Sequence, residues 1–280
     1  MARRKNIRWL LGRIPIYLVL VLLAVSYLYP LFFMLANSIK TQAEYMTDPF
    51  SIRLLGAQYQ NYYVMIRNFN ILKYFWNTLL VVCFGLGLGL VFAIVASYAF
   101  AKVRFRGRNA LYLAVMVVMF IPAQVTIIPL YVMFARLGII DTLWGLTMLK
   151  ICGGQAGLIL LLTANFSGIP SGVLDAAKID GCGYLKTIWR IAVPMVTPAI
   201  SMCIIINFIA GWNDLFTPMV LIKDMEKQLV MPALSHLVGR FSKDVPAQMT
   251  GMLMASIPAV AIYLILQKKI IMGVSMGALK

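Results

Sequence analysis

Residues 175–198 read D-A-A-K-I-D-G-C-G-Y-L-K-T-I-W-R-I-A-V-P-M-V-T-P, a polar turn set between two long apolar stretches. Asp175, Ala176 and Ala177 open it, Asp180 and Gly181 break it, and Pro194 and Pro198 close it. These residue types predict a helix, a turn and a second helix. Pro170 suits a first helical turn and Ser171 a cap. Asp175 and Lys178 form an i,i+3 pair. Ala176 and Ala177 keep one side slim, so that another protein's groove can close around it. Gly181 suits a left-handed end position, and Asp180 is placed to cap the second helix. Tyr184, Leu185, Ile188 and Ile191 then make an amphipathic stretch that can lie along a membrane boundary. The plainer alternative is an ordinary amphipathic loop.

The flanks decide the fold class. The chain has 280 residues, 62% of them hydrophobic and 12% charged, with mean hydropathy +0.88. Soluble domains carry about 25% charged residues. Six segments lack any Asp, Glu, Lys or Arg: Ile14–Ala36, Tyr74–Ala101, Asn109–Ala135, Ile151–Leu174, Ile191–Asn213 and Val245–Gln267. Each is long enough to cross a bilayer, which takes about 20 residues. In hydrocarbon the backbone must satisfy its own hydrogen bonds, so these segments are helices. A transmembrane barrel would show short alternating segments instead. The expectation is an all-α integral membrane protein with six transmembrane helices.

Lys and Arg set the orientation. With the N-terminus inside, segments 1–13, 102–108, 175–190 and 268–280 hold fifteen of them, against nine in the longer segments 37–73, 136–142 and 223–244. The acid-free turn with Lys102, Arg104, Arg106 and Arg108 is the strongest single vote under the positive-inside rule. Both termini are then cytoplasmic, and the formal charge of +16 reads as attraction to anionic headgroups. The basic residues are divided among membrane flanks and do not form one face, which makes a nucleic-acid reading poor. The first segment, with Tyr27, Tyr29, Phe32 and Phe33 near its far end, reads as a retained helix and not a cleaved leader. Cys83, Cys152, Cys182 and Cys203 show neither metal nor disulfide spacing and read as packing residues. His236 reads as a surface histidine among Lys227, Arg240 and Lys243, with no metal-ligand partner. No catalytic constellation is visible, so the chain is not read as an enzyme.

The turn resembles the cytoplasmic "EAA" loop of ABC importer permeases, with Asp175-Ala176-Ala177 at the E-A-A position, Asp180-Gly181 at the D-G and Ile191 to Pro194 at the closing I-x-x-P. Asp175 stands where the family normally has Glu. The resemblance implies the six-helix fold of a type I, MetI-like ABC importer permease, with the loop gripped by a dimeric P-loop ATPase. Asp175, Ala176, Ala177, Asp180 and Gly181 would carry the coupling. No G-x-x-x-x-G-K-[ST] string occurs in this chain, so ATP and Mg would sit on the partner subunits and no cofactor on this one. A second related permease, an extracytoplasmic solute-binding protein and the lipid bilayer complete the implied partners. The implied location is a bacterial or archaeal cytoplasmic membrane. The implied organisation is a cytoplasmic start over 1–13, a first span over 14–36 and an external loop over 37–73. A permease domain follows over 72–267, with spans near 76–101, 109–134, 148–168, 194–222 and 247–267 and the EAA loop over 169–193. Residues 268–280 form a cytoplasmic tail.

Further strings narrow the resemblance to carbohydrate importers of the maltose type. The tail Gly277-Ala278-Leu279-Lys280 resembles their C-terminus, and Gly211-Trp212-Asn213-Asp214 resembles their A/G-W-N-[DE] signature. Asn37-Ser38-Ile39-Lys40-Thr41 and Asn61-Tyr62 resemble the loop that approaches the binding protein, although composition alone makes 37–73 a solvated loop. The solute implied is a sugar or oligosaccharide.

Candidate pathway residues are Gln124, Lys150, Gln155, Asn207, Trp212 and Asn213. Gln124 and Thr126 lie between Pro122 and Pro129, each of which breaks a helical hydrogen bond. Such breaks are tolerated beside neighbouring helices or a wet cavity. Lys150 stands where the family commonly has Pro-Tyr or similar. It either snorkels to the outer surface or lines a cavity and meets an acidic or phosphorylated substrate, such as an acidic saccharide. Trp212 is either part of an aromatic belt or a platform for a sugar ring, and Asp214 either interfacial or part of the site. Gly85-Leu86-Gly87-Leu88-Gly89 lies mid-span with no preceding strand, so it is no nucleotide loop. Gly85 and Gly89 share a helix face and let a neighbouring helix approach closely.

Three alternatives compete. One is an ABC permease for another solute, such as a phosphate ester or a polyamine. Another is an ion-coupled secondary transporter, which should show paired intramembrane carboxylates or discontinuous helices in two halves. The third is a non-transporting membrane anchor or scaffold, which leaves Pro122, Pro129 and the turn unexplained.

Overall fold

The computed structural model describes residues 2–52, 57–240 and 243–277, with the backbone alone for 2–12, 123, 238, 240 and 269–277. The tail string is described to Gly277, and Ala278, Leu279 and Lys280 lie outside the described residues. All regular structure among the described residues is helical. The chain divides into two compact units, residues 1–71 with 236–256 and residues 72–235 with 257–280.

The first unit is built on the Ala2–Ser38 helix. Its Arg13–Ser38 part is apolar enough to cross a bilayer, and none of its most apolar window is buried within the chain. Leu18, Val21, Leu22 and Val25 point outward on all sides. A helix apolar all round needs an apolar environment, here lipid or another subunit. The described residues of 37–73 hold more regular structure than a solvated loop. Thr41 and Glu44 form a reciprocal capping box that starts the Gln42–Thr47 helix. Asn37, Ser38, Lys40 and Asn61 are buried, and Asn61 donates to the carbonyls of Ser38 and Lys40, each at 2.8 Å. The Lys40 ammonium donates to the carbonyls of Asp48 and Pro49. Thr250, near the start of the Val245–Gly277 helix, donates to Ser38 O and ties that first part of the helix to these residues. The two strings singled out in this loop thus meet each other, because buried backbone carbonyls require donors.

The second unit contains the Ile71–Lys102 helix, the Leu143–Ser167 span and the bent pair Tyr184–Met195 and Thr197–Trp212. Its core joins Leu90, Ala93 and Ile94 to Leu158, Leu162 and Phe166 and to Ile188, Ala192 and Ile200. Tyr98 meets Phe166 edge to face at 5.8 Å.

Several segment boundaries move. The apolar run 109–135 is two helices, Arg108–Val118 and Ala123–Arg136. Pro122 sits at the break in extended conformation (φ −60°, ψ 131°), lacking the N–H that would continue the first helix. Pro129 stays inside the second. The fourth span begins at Leu143 and contains Lys150, so a boundary near 148 misses its first turn. The fifth segment bends by 82° between its two helices and ends at Trp212, not 222, with a separate Phe216–Leu221 helix beyond. Residues 223–244 include the Val230–Arg240 helix, with Val230, Ala233, Leu234 and Leu237 buried. Their i, i+3, i+4, i+7 spacing is a helical signal that a search for charge-free runs passes over.

Candidate functional site

The polar turn is the Ser171–Ile179 helix, closed by a Schellman motif. Cys182 N donates to Ala177 O at 2.9 Å and Gly181 N to Lys178 O at 3.0 Å. Gly181 takes φ +74°, the left-handed position that the motif requires. Asp175 and Lys178 pair at 2.9 Å in the open. Hydrogen bonding to Asp175 raises the Lys178 pKa above its ordinary value. Such an exposed pair adds little stability.

Three details differ from expectation. Pro170, not Ser171, occupies the N-cap, and no side chain caps that end. Asp180 ends this helix instead of capping the next, which begins after Gly183 without a side-chain cap. Ala177 is 4% exposed and packs with Leu174 against the chain's own core, leaving Ala176 on the outer face. Val173, Ala176 and Ile179 recur every three residues along that face, and all are exposed. Tyr184 and Leu185 are exposed beyond the turn, while Ile188 is buried. Lys102 holds the entry to the turn by donating to Ser167 O and Ile169 O, at 3.0 and 2.7 Å. A cation there complements the carbonyl end of the Gln155–Ser167 helix.

The second feature is a cavity of about 1060 Å³ inside the second unit. Gln124, Lys150, Gln155 and Asn207 line it, as do Asp214 and Thr217. Trp212 and Asn213 do not. Trp212 is 1% exposed, edge to face with Phe75 at 5.5 Å and stacked on Phe208 at 5.8 Å. It is a core residue here, neither interfacial nor open to a sugar ring. Of the cysteines, Cys203 is buried, Cys83 and Cys152 are exposed, and Cys152 lies on the cavity wall. His236 is exposed.

Lys150 neither snorkels nor stands alone. Its ammonium meets Asp214 Oδ2 at 2.6 Å, with the two side chains 24% and 16% exposed. Asp214 Oδ1 accepts from Thr217 N at 3.2 Å. An apolar span tolerates a charge when a partner offsets its desolvation. Asn207 donates to Cys203 O. Gln155 donates to Ile151 O, while its Oε1 is buried without a hydrogen-bond partner.

Glycines make the wall possible. A Cβ on Gly85 would collide with Lys150 Cβ, and one on Gly89 would fall 2.6 Å from Gln155 Nε2 and 3.3 Å from Ile151 O. The glycine face therefore admits the backbone that carries Lys150. Gly154 (φ +73°) turns the chain between the two halves of that span. Gly85→Ala is expected to lower stability by about 1–3 kcal/mol, as overpacking does. Gly87→Ala should be silent, because nothing lies within 4 Å of its added Cβ. Thermal unfolding of the detergent-solubilised variants checks the contrast, and equal melting temperatures would remove the close-approach role.

The fold and these two features define a helical membrane protein with a cavity, apolar over most of its wall and set with a few polar side chains, and a short exposed helix at one turn. Residues 85–274 match the family described as binding-protein-dependent transport system inner membrane component, and the chain belongs to that family. It is a permease, a transport component of an ABC importer. The chain is 27% identical over 271 residues to the arabinooligosaccharides transport system permease protein AraQ of Bacillus subtilis, covering 96% of each chain. It is 26% identical over 263 residues to the diacetylchitobiose uptake system permease protein NgcG of Streptomyces coelicolor, covering 93% of this chain and 87% of that one. Its fold matches a chain in the crystal structure of a bacterial ABC transporter involved in the import of the acidic polysaccharide alginate. The TM-score is 0.77 at 23% identity, covering 95% of this chain and 97% of that one.

Proposed function

We propose that this chain is the permease subunit of an ATP-driven importer that moves a sugar or oligosaccharide delivered by an extracytoplasmic binding protein. The cavity carries the reading. At about 1060 Å³ it is at the upper end of ordinary ligand pockets, roughly 300–1,000 Å³, and so has room for more than one sugar ring. Amides at Gln124, Gln155 and Asn207 are spaced along a mostly apolar wall that also carries Lys150, Asp214 and Thr217, which suits a solute rich in hydroxyls. The relatives named for arabinooligosaccharides and diacetylchitobiose support a carbohydrate over a phosphate ester or polyamine. An ion-coupled mechanism has little support, since the carboxylate on the cavity wall, Asp214, is engaged by Lys150. A second reading, an acidic saccharide, requires the solute's carboxylate to take the place of Asp214 on Lys150.

Motion would enter through the exposed turn. A dimeric ATPase, which binds ATP and Mg, closes around the Ser171–Ile179 helix, and Lys102 and the Schellman turn transmit the pull to the attached spans. A second related permease covers this chain's lipid-like faces. ATP-driven closure then opens the path outward to receive the sugar, and hydrolysis resets it. Copurification with an ATPase, and stimulation of its activity by a sugar-loaded binding protein, test the proposal. An ATPase that ignores the loaded protein would sink it.

The topology proposed is six spans with both termini cytoplasmic. It counts the pair broken at Pro122 as one span, begins the fifth span near 194 so that most of the Tyr184–Met195 helix belongs to the cytoplasmic turn, and places the permease domain over 72–267. Cysteines introduced at Asn109 and Ser171 should resist an impermeant thiol reagent added outside, whereas one at Gln58 should react. All three positions are exposed on the chain, so access reports sidedness. Labelling of position 171 from outside would overturn the orientation.

A further inference from the structure

The cavity wall holds two charged side chains among the described residues, Lys150 and Asp214, and they are in contact at 2.6 Å. They come from separate segments, 64 residues apart. At that separation opposite charges act as a dipole, and a solute further along the cavity meets almost no net charge. The arrangement is specific. One Asp214 oxygen is fixed by Thr217 N and the other faces Lys150. An ammonium has three donors, and among the described residues Asp214 is the acceptor it meets. Gln155 Oε1, an acceptor without a hydrogen-bond partner, lies on the same wall. The Gly85 contact fixes the backbone from which Lys150 projects.

We propose that Lys150 is a carboxylate site of the cavity that the chain keeps filled with its own Asp214, which makes Asp214 the residue that sets charge selectivity. The ligand class is a carboxylated saccharide, a uronate. This deepens the carbohydrate reading and rests on it for the sugar part. A neutral saccharide passes the closed pair and donates or accepts through its hydroxyls. A uronate gains an ionic contact only by taking the place of Asp214, so the closed pair suppresses the preference that a lone lysine would impose. Asp214 thereby acts as an internal competitor. No bond is made or broken, and one carboxylate replaces another on the same ammonium.

The test removes the competitor and offers substitutes. The assembled transporter is purified with wild-type, Asp214→Ala, Asp214→Asn or doubly substituted Lys150→Met, Asp214→Ala permease, and thermal stabilisation is titrated with glucuronate, glucose, acetate and acetamide. Glucuronate and acetate should stabilise Asp214→Ala saturably, at concentrations at least tenfold below any effect on wild type. Glucose and acetamide should not distinguish the proteins, and the double variant should lose the carboxylate response. Asp214→Asn, nearly isosteric, gives the same comparison if the alanine variant does not assemble. Equal responses to glucuronate and glucose, or a response that survives loss of Lys150, would overturn the proposal. The carbohydrate reading fails separately. If the wild type imports no sugar while acetate still rescues Asp214→Ala, the anion site stands and the sugar assignment falls.

Discussion

Ala176→Arg is expected to leave the chain folded and inserted while uptake falls by at least tenfold and ATP hydrolysis loses its response to the loaded binding protein. The residue lies on the exposed face with Val173 and Ile179, so a long cation there disturbs nothing inside the chain. In a partner's groove it would be a buried, unpaired charge. Interface anchors typically cost 2 kcal/mol or more when lost, and each 1.4 kcal/mol is tenfold. Ala177→Arg is a poorer probe, because Ala177 is buried against the chain's own core and the variant would damage the fold. Gly181→Leu acts differently. Nothing lies within 4 Å of an added Cβ, but at φ +74° a branched residue costs roughly 1–2 kcal/mol. The Schellman turn should loosen, and coupling should weaken more than insertion. Normal uptake by Ala176→Arg would remove this helix as the docking point.

The second large effect belongs to the Lys150–Asp214 pair. Asp214→Asn leaves a cation within an apolar span, and breaking a buried pair typically costs 3–5 kcal/mol. Both side chains keep some exposure, 24% and 16%, so solvent screening brings the expected loss to about 1–3 kcal/mol. Lys150→Met should cost less than Asp214→Asn, because methionine suits the span and Asp214 keeps its bond from Thr217 N. The double variant Lys150→Met, Asp214→Asn should be more stable than Asp214→Asn alone, with a coupling of about 0.5–3 kcal/mol. Melting temperatures of the four proteins read this cycle directly. Strict additivity would mean that the contact contributes nothing to stability.

The same variants bear on the solute. Lys150→Met, which removes the pair, should change uptake of a neutral oligosaccharide little. A uronate that had displaced Asp214 would lose a charge-assisted hydrogen bond, about 1.5–3 kcal/mol. Competition assays with matched neutral and uronate oligosaccharides separate these cases.

The membrane class was legible along the chain because hydrocarbon forbids unpaired backbone, so long charge-free runs declare themselves. The exposed turn was legible because its chemistry is local. Gly181 and the Asp175–Lys178 pair depend on neighbours three to six residues away, and both took the expected form. The Gly85 and Gly89 face was legible as a close-packing surface, since helical periodicity fixes which residues share a side. Which helix would approach it was not.

Boundaries failed where charge served as the marker. The charge-free run begins only after Lys150, at Ile151, whereas the helix begins at Leu143 and runs through Lys150. What offsets the charge is Asp214, in a separate segment whose sequence gives no sign of contact. Trp212 shows the same limit. An aromatic near a span end suits an interface, a sugar platform or a core equally well, and only Phe75 and Phe208 closing around it decide for the core. Ala176 and Ala177 are identical in type and adjacent, yet one faces outward and one inward, because the helix face was set by what Leu174 packs against. Class, helices and turn thus follow from the order of residues alone, through hydrogen-bond satisfaction and local backbone preference. Which charges meet and which apolar faces are covered was settled only in three dimensions, because desolvation and pairing depend on groups that the fold brings together from distant parts of the chain.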